Sequence, residues 1–135
     1  MKLIETFFGT LTGITERKTG KSYPETDWRQ RYAGRPGMIA VYKSDHQAGK
    51  QYIFFYPDDP NSQMQDWLRT SAGDLQVIKD EYTLMSKNST YRFGRDDETL
   101  PEERKQLMRL NVGIQSDGLT TQELDTGCKT YDHNP

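Results

Sequence analysis

The segment Gln51–Tyr56 limits the fold more than any other feature of this sequence, because both of its faces are apolar. In an extended strand its three aromatic residues at even positions point to one side, and Ile53 and Phe55 point to the other. Such a strand must be covered on both sides, which places it in the centre of a sheet. Met38–Tyr42 is a second apolar strand, and the two predict a hairpin around the loop Lys43–Lys50.

The size and composition of the chain predict one small domain with an aromatic-rich core. The 135 residues suffice for a single domain, and only 33% of them are hydrophobic. A mean hydropathy of −0.95 is low for a globular protein, but the two Trp, eight Tyr and five Phe can each bury a large area. We therefore expect one domain over residues 1–125 and a flexible C-terminal tail over residues 126–135.

The order of predicted elements indicates an α+β fold. The strands should form a mainly antiparallel sheet of about five to six strands, with two helices packed on it. The first helix is predicted over residues 59–72, where Asp59 and Pro60 provide a start and Met64, Trp67 and Leu68 share a helical face. The second is predicted over residues 100–112, with Leu100, Leu107, Leu110 and Ile114 along one side. The predicted strands are Leu3–Thr15, Met38–Tyr42, Gln51–Tyr56, Leu75–Ile78, Tyr82–Met85 and Thr90–Phe93.

Several classes of protein are disfavoured by what the sequence lacks. No apolar run approaches the roughly 18 residues that span a bilayer, so we expect no membrane association. The first residues lack the pattern of a secretory signal, since Glu5 falls where an apolar region would have to run. The single Cys128 excludes an internal disulfide and a zinc site with several cysteines. These observations predict a cytoplasmic protein without a cofactor or a bound metal.

The most distinctive candidate site is a cluster of basic and aromatic residues in the long loop that precedes Met38. Arginines with exposed rings are typical of protein-binding hot spots, and they also suit single-stranded nucleic acid, whose phosphates pair with guanidinium groups while its bases stack on rings. The alternative is a solvated loop in which Trp28 covers the edge of the core. The candidate binding residues are Arg17, Lys18, Tyr23, Trp28, Arg29, Arg31, Tyr32 and Arg35.

Charge is segregated along the sequence, although the formal net charge is only −2. Residues 1–57 hold nine Lys/Arg and five Asp/Glu, whereas residues 58–135 hold nine and fifteen. The acidic half could present a patch that binds a basic partner by imitating phosphate, but helix capping and solvation also explain acidic residues of this kind. The candidate acidic patch consists of Asp58, Asp59, Asp96, Asp97 and Glu98.

The sequence contains no recognisable catalytic motif, so no catalytic residue is assigned. His46, Asp58 and Cys128 are the one polar trio that could serve an enzyme if the fold brought them together. The leading hypothesis is a small non-enzymatic protein of the inhibitor, immunity or adaptor type that docks on a protein partner. The alternative is a single-stranded nucleic-acid-binding domain that uses the loop 17–35. The oligomeric state is left open.

Overall fold

The computed structural model describes residues 2–59, 67–112 and 130–131. Within these residues the chain forms one sheet of eight strands, a short 3₁₀ helix and one α-helix. The elements are β1 (Lys2–Glu16), the 3₁₀ helix (Trp28–Arg31), β2 (Pro36–Lys43), β3 (Gln51–Pro57), β4 (Leu68–Arg69), β5 (Asp74–Ile78), β6 (Glu81–Met85), β7 (Ser89–Arg95), α1 (Glu102–Val112) and β8 (Thr130–Tyr131).

The long strand β1 organises the sheet, whose strand order is β5-β6-β7-β1-β2-β3-β4-β8. The first part of β1 pairs with β2, and its second part pairs with β7. A register shift between Leu11 and Gly13 bends the strand where the second partner takes over. Neighbouring strands are antiparallel except β4 and β8, which are parallel.

The segment 68–78 connects the two ends of this curved sheet. Its first part, β4, pairs with β3, and its last part, β5, pairs with β6. Between them, Gly73 exchanges two backbone hydrogen bonds with Gln51 at the start of β3. The sheet therefore curls round until one short segment pairs with β3 near one end and with β6 near the other, and it encloses an interior.

Side chains from the two faces of the strands form two separate core layers. The inner core is enclosed by the curled sheet and consists of Phe7, Leu11, Ile14, Tyr32, Ile39, Val41, Ile53, Phe55, Leu68, Tyr82, Leu84, Tyr91 and Phe93. The outer core lies on the other face, with α1 packed on it, and consists of Phe8, Met38, Ala40, Tyr42, Tyr52, Phe54, Tyr56, Trp67, Leu100 and Met108. The prediction that β3 is covered on both faces is confirmed, because Phe54 and Phe55 are both fully buried.

The α+β class with a mainly antiparallel sheet is confirmed, but the predicted count of elements is wrong. Each of the six predicted strands is present. Two short strands, Leu68–Arg69 and Thr130–Tyr131, raise the number to eight, above the five to six expected. Thr130–Tyr131 lies within residues 126–135, which were predicted to form a tail, and it pairs with β4.

The helix predicted over residues 59–72 is wrong in the part that the structure describes. Residues 60–66 lie outside the described residues, and residues 67–72 contain strand β4 with no helical turn. Trp67 packs in the outer core and Leu68 in the inner core, so adjacent side chains point to opposite faces, as in a strand. The open edge of β3 provides the backbone partners, including a bond from the Thr70 N–H to the Ile53 carbonyl.

The second predicted helix is present, but a different face is buried. It begins at Glu102 and ends at Val112, within one or two residues of the prediction. Leu100 is buried as expected, but Leu107 and Leu110 are exposed and Met108 is fully buried. Lys105 also lies on the buried face of the helix. Its ammonium donates to the Asp97 carbonyl and lies over the Phe8 ring.

No helix among the described residues is long and apolar enough to cross a membrane.

Candidate functional site

An open cleft of about 750 Å³ lies where the end of β1 meets the loop that follows it and the β6–β7 turn. Glu16 at the end of β1 and the next two residues form one side, and Tyr23, Pro24, Asp27 and Arg29 come from the loop. The turn contributes residues that are distant in sequence but adjacent in the fold. The cleft is lined by Glu16, Arg17, Lys18, Tyr23, Pro24, Asp27, Arg29, Lys87 and Asn88.

Hydrogen bonds fix the β6–β7 turn against the end of β1 and the loop. The Arg17 N–H donates to the Asn88 carbonyl at 2.9 Å, and Nη1 of Arg17 donates to the Ser86 carbonyl at 3.0 Å. The Tyr23 hydroxyl donates to the Asn88 carbonyl at 3.2 Å and lies 2.5 Å from the Ser89 hydroxyl. Because backbone groups carry most of these contacts, the walls of the cleft are held in a defined geometry.

One wall of the cleft is built around a buried arginine. The guanidinium of Arg29 lies 4.3 Å from the centre of the Tyr23 ring and 4.6 Å from that of Trp28. Asp27 holds the same guanidinium with both carboxylate oxygens and also accepts the backbone N–H of Arg29. A cation between two aromatic rings, neutralised by a carboxylate, makes a stiff support for the short 3₁₀ helix.

The cleft is electropositive because cations outnumber anions among its lining residues. Arg17, Lys18 and Lys87 are exposed, and Asp27 is neutralised by Arg29. The remaining carboxylate, Glu16, accepts the hydroxyl of Thr19. These three exposed cationic residues lie at the rim, where they can attract an anionic group.

A second open depression, of about 660 Å³, shares Asp27 with the cleft. Its lining residues are Glu25, Thr26, Asp27, Trp28, Gln30, Arg31 and Ala33. Trp28 is half-buried and packs against the inner core, and Arg31 is exposed. The exposed part of the indole thus lines the second depression.

The structure brings most of the predicted basic-aromatic residues together but divides them into two roles. Tyr32 is fully buried in the inner core and Arg29 is 3% exposed, so both support the loop from within. Trp28 and Tyr23 are half-buried, which matches the alternative in which Trp28 covers the edge of the core. The predicted residues that reach the surface are therefore Arg17, Lys18, Tyr23, Trp28, Arg31 and Arg35.

The acidic residues predicted as a patch are tied to arginines in three of five cases. Asp58 accepts from Nε of Arg104 at 3.0 Å, and Asp59 lies 3.6 Å from Arg35 of the basic loop. Asp97 accepts from the Phe8 N–H and from Arg95. The remaining two, Asp96 and Glu98, are exposed. Basic and acidic surfaces therefore meet at the Arg35–Asp59 pair.

The pKa of Asp97 reflects this environment. Partial burial acts to raise it, but the N–H of Phe8 and the guanidinium of Arg95 together hold the pKa of this carboxyl below its usual value. The carboxylate therefore remains ionised and links β1, β7 and the segment that leads into α1.

Sequence reasoning missed the contribution of Lys87 and Asn88. The residues Ser86–Ser89 are polar, and their composition predicts only a turn between two strands. The antiparallel pairing of β7 with the second part of β1 places this turn beside Arg17. No local pattern reports such a pairing, because it joins segments about seventy residues apart.

Within residues 2–59, 67–112 and 130–131, no group of three or more His, Cys, Asp or Glu could hold a metal ion. In the proposed trio, His46 is exposed in the β2–β3 loop, Asp58 is bound to Arg104, and Cys128 lies outside the described residues.

Comparisons of this chain with protein-family models, with curated proteins and with solved structures found no match.

Proposed function

We propose that this chain is a small non-enzymatic docking protein of the inhibitor, immunity or adaptor type, which binds an acidic segment of a protein partner in the cleft at Arg17. The observation that carries this proposal is the convergence of Arg17, Lys18 and Lys87 at one open cleft beside the half-buried Tyr23. Cations beside partly exposed aromatic rings favour contact with carboxylates flanked by apolar side chains.

The rigidity of the loop supports docking over a purely solvated loop. The Tyr23–Arg29–Trp28 stack and the bonds to the β6–β7 turn restrain the cleft before any partner arrives. A restrained surface loses little conformational entropy on binding, which increases affinity for a given contact area. The cytoplasm is the proposed setting, because one cysteine provides none of the internal disulfides typical of small secreted domains.

Single-stranded nucleic acid is the weaker candidate for the same surface. The cations at the rim could pair with phosphates, but base stacking requires open ring faces. Tyr32 is buried, and the guanidinium of Arg29 lies over the rings of Tyr23 and Trp28. Arg29 occupies a face of each of these rings, which disfavours base stacking, and nucleic-acid binding therefore becomes an outcome of the test.

The proposal can be tested by peptide-display selection against the immobilised chain. We expect the selected peptides to be enriched in Asp and Glu. A synthetic selected peptide should bind at least about tenfold more weakly to a variant with Lys18→Glu and Lys87→Glu, because both substitutions place a negative charge at the rim. Isothermal titration calorimetry at about 0.15 M salt measures the difference.

A matched control changes the net charge by the same amount elsewhere. Lys2 and Lys43 are exposed and lie opposite each other on β1 and β2, outside the cleft. The variant with Lys2→Glu and Lys43→Glu should bind the peptide like the unmodified chain. Equal losses in both variants, or selected peptides without acidic enrichment, contradict the proposal. If the chain binds a labelled oligothymidylate and this binding weakens steeply with salt, the nucleic-acid hypothesis would replace the proposal.

A further inference from the structure

Strand β5 has one backbone edge that no described strand covers. β5 pairs with β6 on one side, from Asp74 opposite Met85 to Ile78 opposite Glu81. On the other side, the chain contacts β3 through the two backbone bonds between Gly73 and Gln51. Beyond Gly73, the described residues provide no backbone partner on this side.

The strand period determines which backbone groups face the open edge. Because N–H and C=O directions alternate along a strand, residues two apart from Gly73 point to the same side as it does. The N–H and C=O groups of Leu75 and Val77 therefore point away from β6. Gln76 and Ile78 direct theirs toward β6, where the hairpin satisfies them.

The side chains along this edge are unusually apolar for an exposed strand. Val77 is 48% exposed and Ile78 is 59% exposed, so both faces of the strand are open at this point. Proteins usually protect such edges with lysine, proline or a bulge, yet residues 75–78 are Leu, Gln, Val and Ile. An edge of this composition favours pairing with a further strand.

We propose that the open edge of β5 pairs with the same edge of a second copy of this chain, forming a weak antiparallel dimer. A two-fold axis at Gln76 sets Leu75 of each copy opposite Val77 of the other. These are the residues whose backbone groups point outward, so each pair exchanges both of its N–H···O=C bonds. A register centred on Val77 would instead set Leu75 against Lys79, which lies in the turn and has a positive φ of 55°.

The charges at the two ends of the strand favour the same arrangement. Asp74 begins β5 and Lys79 follows its last residue. Antiparallel pairing brings Lys79 of one copy near Asp74 of the other, beside the Lys50 ammonium that already contacts this carboxylate at 2.7 Å. Parallel pairing would align like charges, so antiparallel self-pairing is favoured over the parallel form.

The contact is short, so the dimer should be weak and concentration-dependent. Two outward-facing residues and two exposed β-branched side chains per copy are far fewer than a stable obligate interface provides. Sedimentation velocity from about 1 μM to about 500 μM should show a reversible monomer–dimer equilibrium, with a dissociation constant in the micromolar range or weaker. This inference concerns a different surface from the basic cleft and stands independently of it.

Removing one edge donor tests the pairing. Val77→Pro deletes an N–H that faces outward, so it leaves the bonds to β6 in place. We expect this variant to dimerise at least about tenfold more weakly, since the bond donated by the Val77 N–H is lost in both symmetry-related pairs. If it does not fold, Val77→Lys provides the same test by placing a charge at the contact. Leu110→Lys is the control, because Leu110 is an exposed apolar residue on α1.

The register of the β5–β5 pairing can be determined by disulfide cross-linking in a Cys128→Ser background. Gln76→Cys places its two thiols at the two-fold axis, where Cα atoms about 4.5 Å apart allow a disulfide. Ile78→Cys is equally accessible but lies about 13 Å from its counterpart. We expect rapid covalent dimer formation with Gln76→Cys and slow formation with Ile78→Cys. A monomer at every concentration, equal cross-linking rates, or loss of dimer only in Leu110→Lys would overturn the proposal.

Discussion

Both carboxylate oxygens of Asp27 accept hydrogen bonds from Nη1 of Arg29, each at 3.0 Å. The arginine side chain is 4% exposed and the aspartate side chain 21%, so the pair lies largely out of water. Asp27 also caps the 3₁₀ helix by accepting the Arg29 N–H. One carboxylate therefore neutralises a buried charge and fixes the loop that carries the cleft.

Asp27→Ala should destabilise the protein strongly. The substitution removes a carboxylate that pairs with a buried guanidinium and also removes the helix cap, and such losses cost about 2–3 kcal/mol. Urea denaturation followed by tryptophan fluorescence measures the free energy of unfolding. Glu25→Ala is the control, because Glu25 is an exposed acid two residues away, and it should change stability by less than about 0.5 kcal/mol. Similar values for both variants would show that the pair contributes little.

Two glycines of β1 should respond in opposite ways to alanine. A Cβ at Gly9 would lie 2.1 Å from the Gly94 carbonyl oxygen, a backbone atom that can move only with its strand. A Cβ at Gly13 would meet nothing within 4 Å. Gly9→Ala should therefore destabilise by about 2 kcal/mol or more.

Gly13→Ala should be neutral or stabilising by up to about 1 kcal/mol, since alanine restricts the unfolded chain. Midpoints of urea denaturation for the two variants give the comparison. A destabilising effect of equal size at both positions would indicate that flexibility of β1, and not the close approach of Gly94, requires glycine.

Local patterns were sufficient for most strands of this fold. Alternating or wholly apolar runs predicted all six long strands, because side-chain period and burial are properties of a few adjacent residues. The helix predicted at Trp67 and Leu68 is wrong, because the spacing of apolar residues there also fits a helix. Its strand conformation depends on the open edge of β3, which a local pattern does not contain.

The candidate site was predictable in part for the same reason. The cluster of arginines and rings marked the loop, and six of its eight residues reach the surface. Burial of Tyr32 and Arg29 could not be foreseen, because it depends on how the loop folds back over the inner core. Lys87 reaches the cleft through strand pairing alone.

Asp97 should contribute to acid sensitivity. The pKa of its carboxyl is lower in the folded protein than in the unfolded chain, where it stays near its ordinary value. The unfolded state therefore binds the proton first as pH falls, and stability that is full above about pH 4 declines through the folded pKa. Asp97→Asn keeps an acceptor for the Phe8 N–H and should flatten the loss of stability between about pH 4 and pH 2. Urea midpoints across this range measure how steeply stability falls with pH. If Asp97→Asn leaves that dependence unchanged, other carboxylates cause the acid sensitivity.

Tyr42 should make the protein sensitive to base. Burial raises the pKa of its hydroxyl from 10.0 to about 12 in the outer core, where it stacks on Tyr52. Between these values the unfolded chain loses the proton while the folded protein retains it, so the folded state binds more protons. Stability is therefore full below pH 10 and falls as pH rises toward 12, by up to about 1.4 kcal/mol per pH unit. Tyr42→Phe retains the ring and should remove the loss of stability that Tyr42 causes between pH 10 and pH 12. Urea midpoints from pH 9 to pH 12 compare the variant with the unmodified chain, and parallel curves would show that Tyr42 ionises as readily when folded as when unfolded.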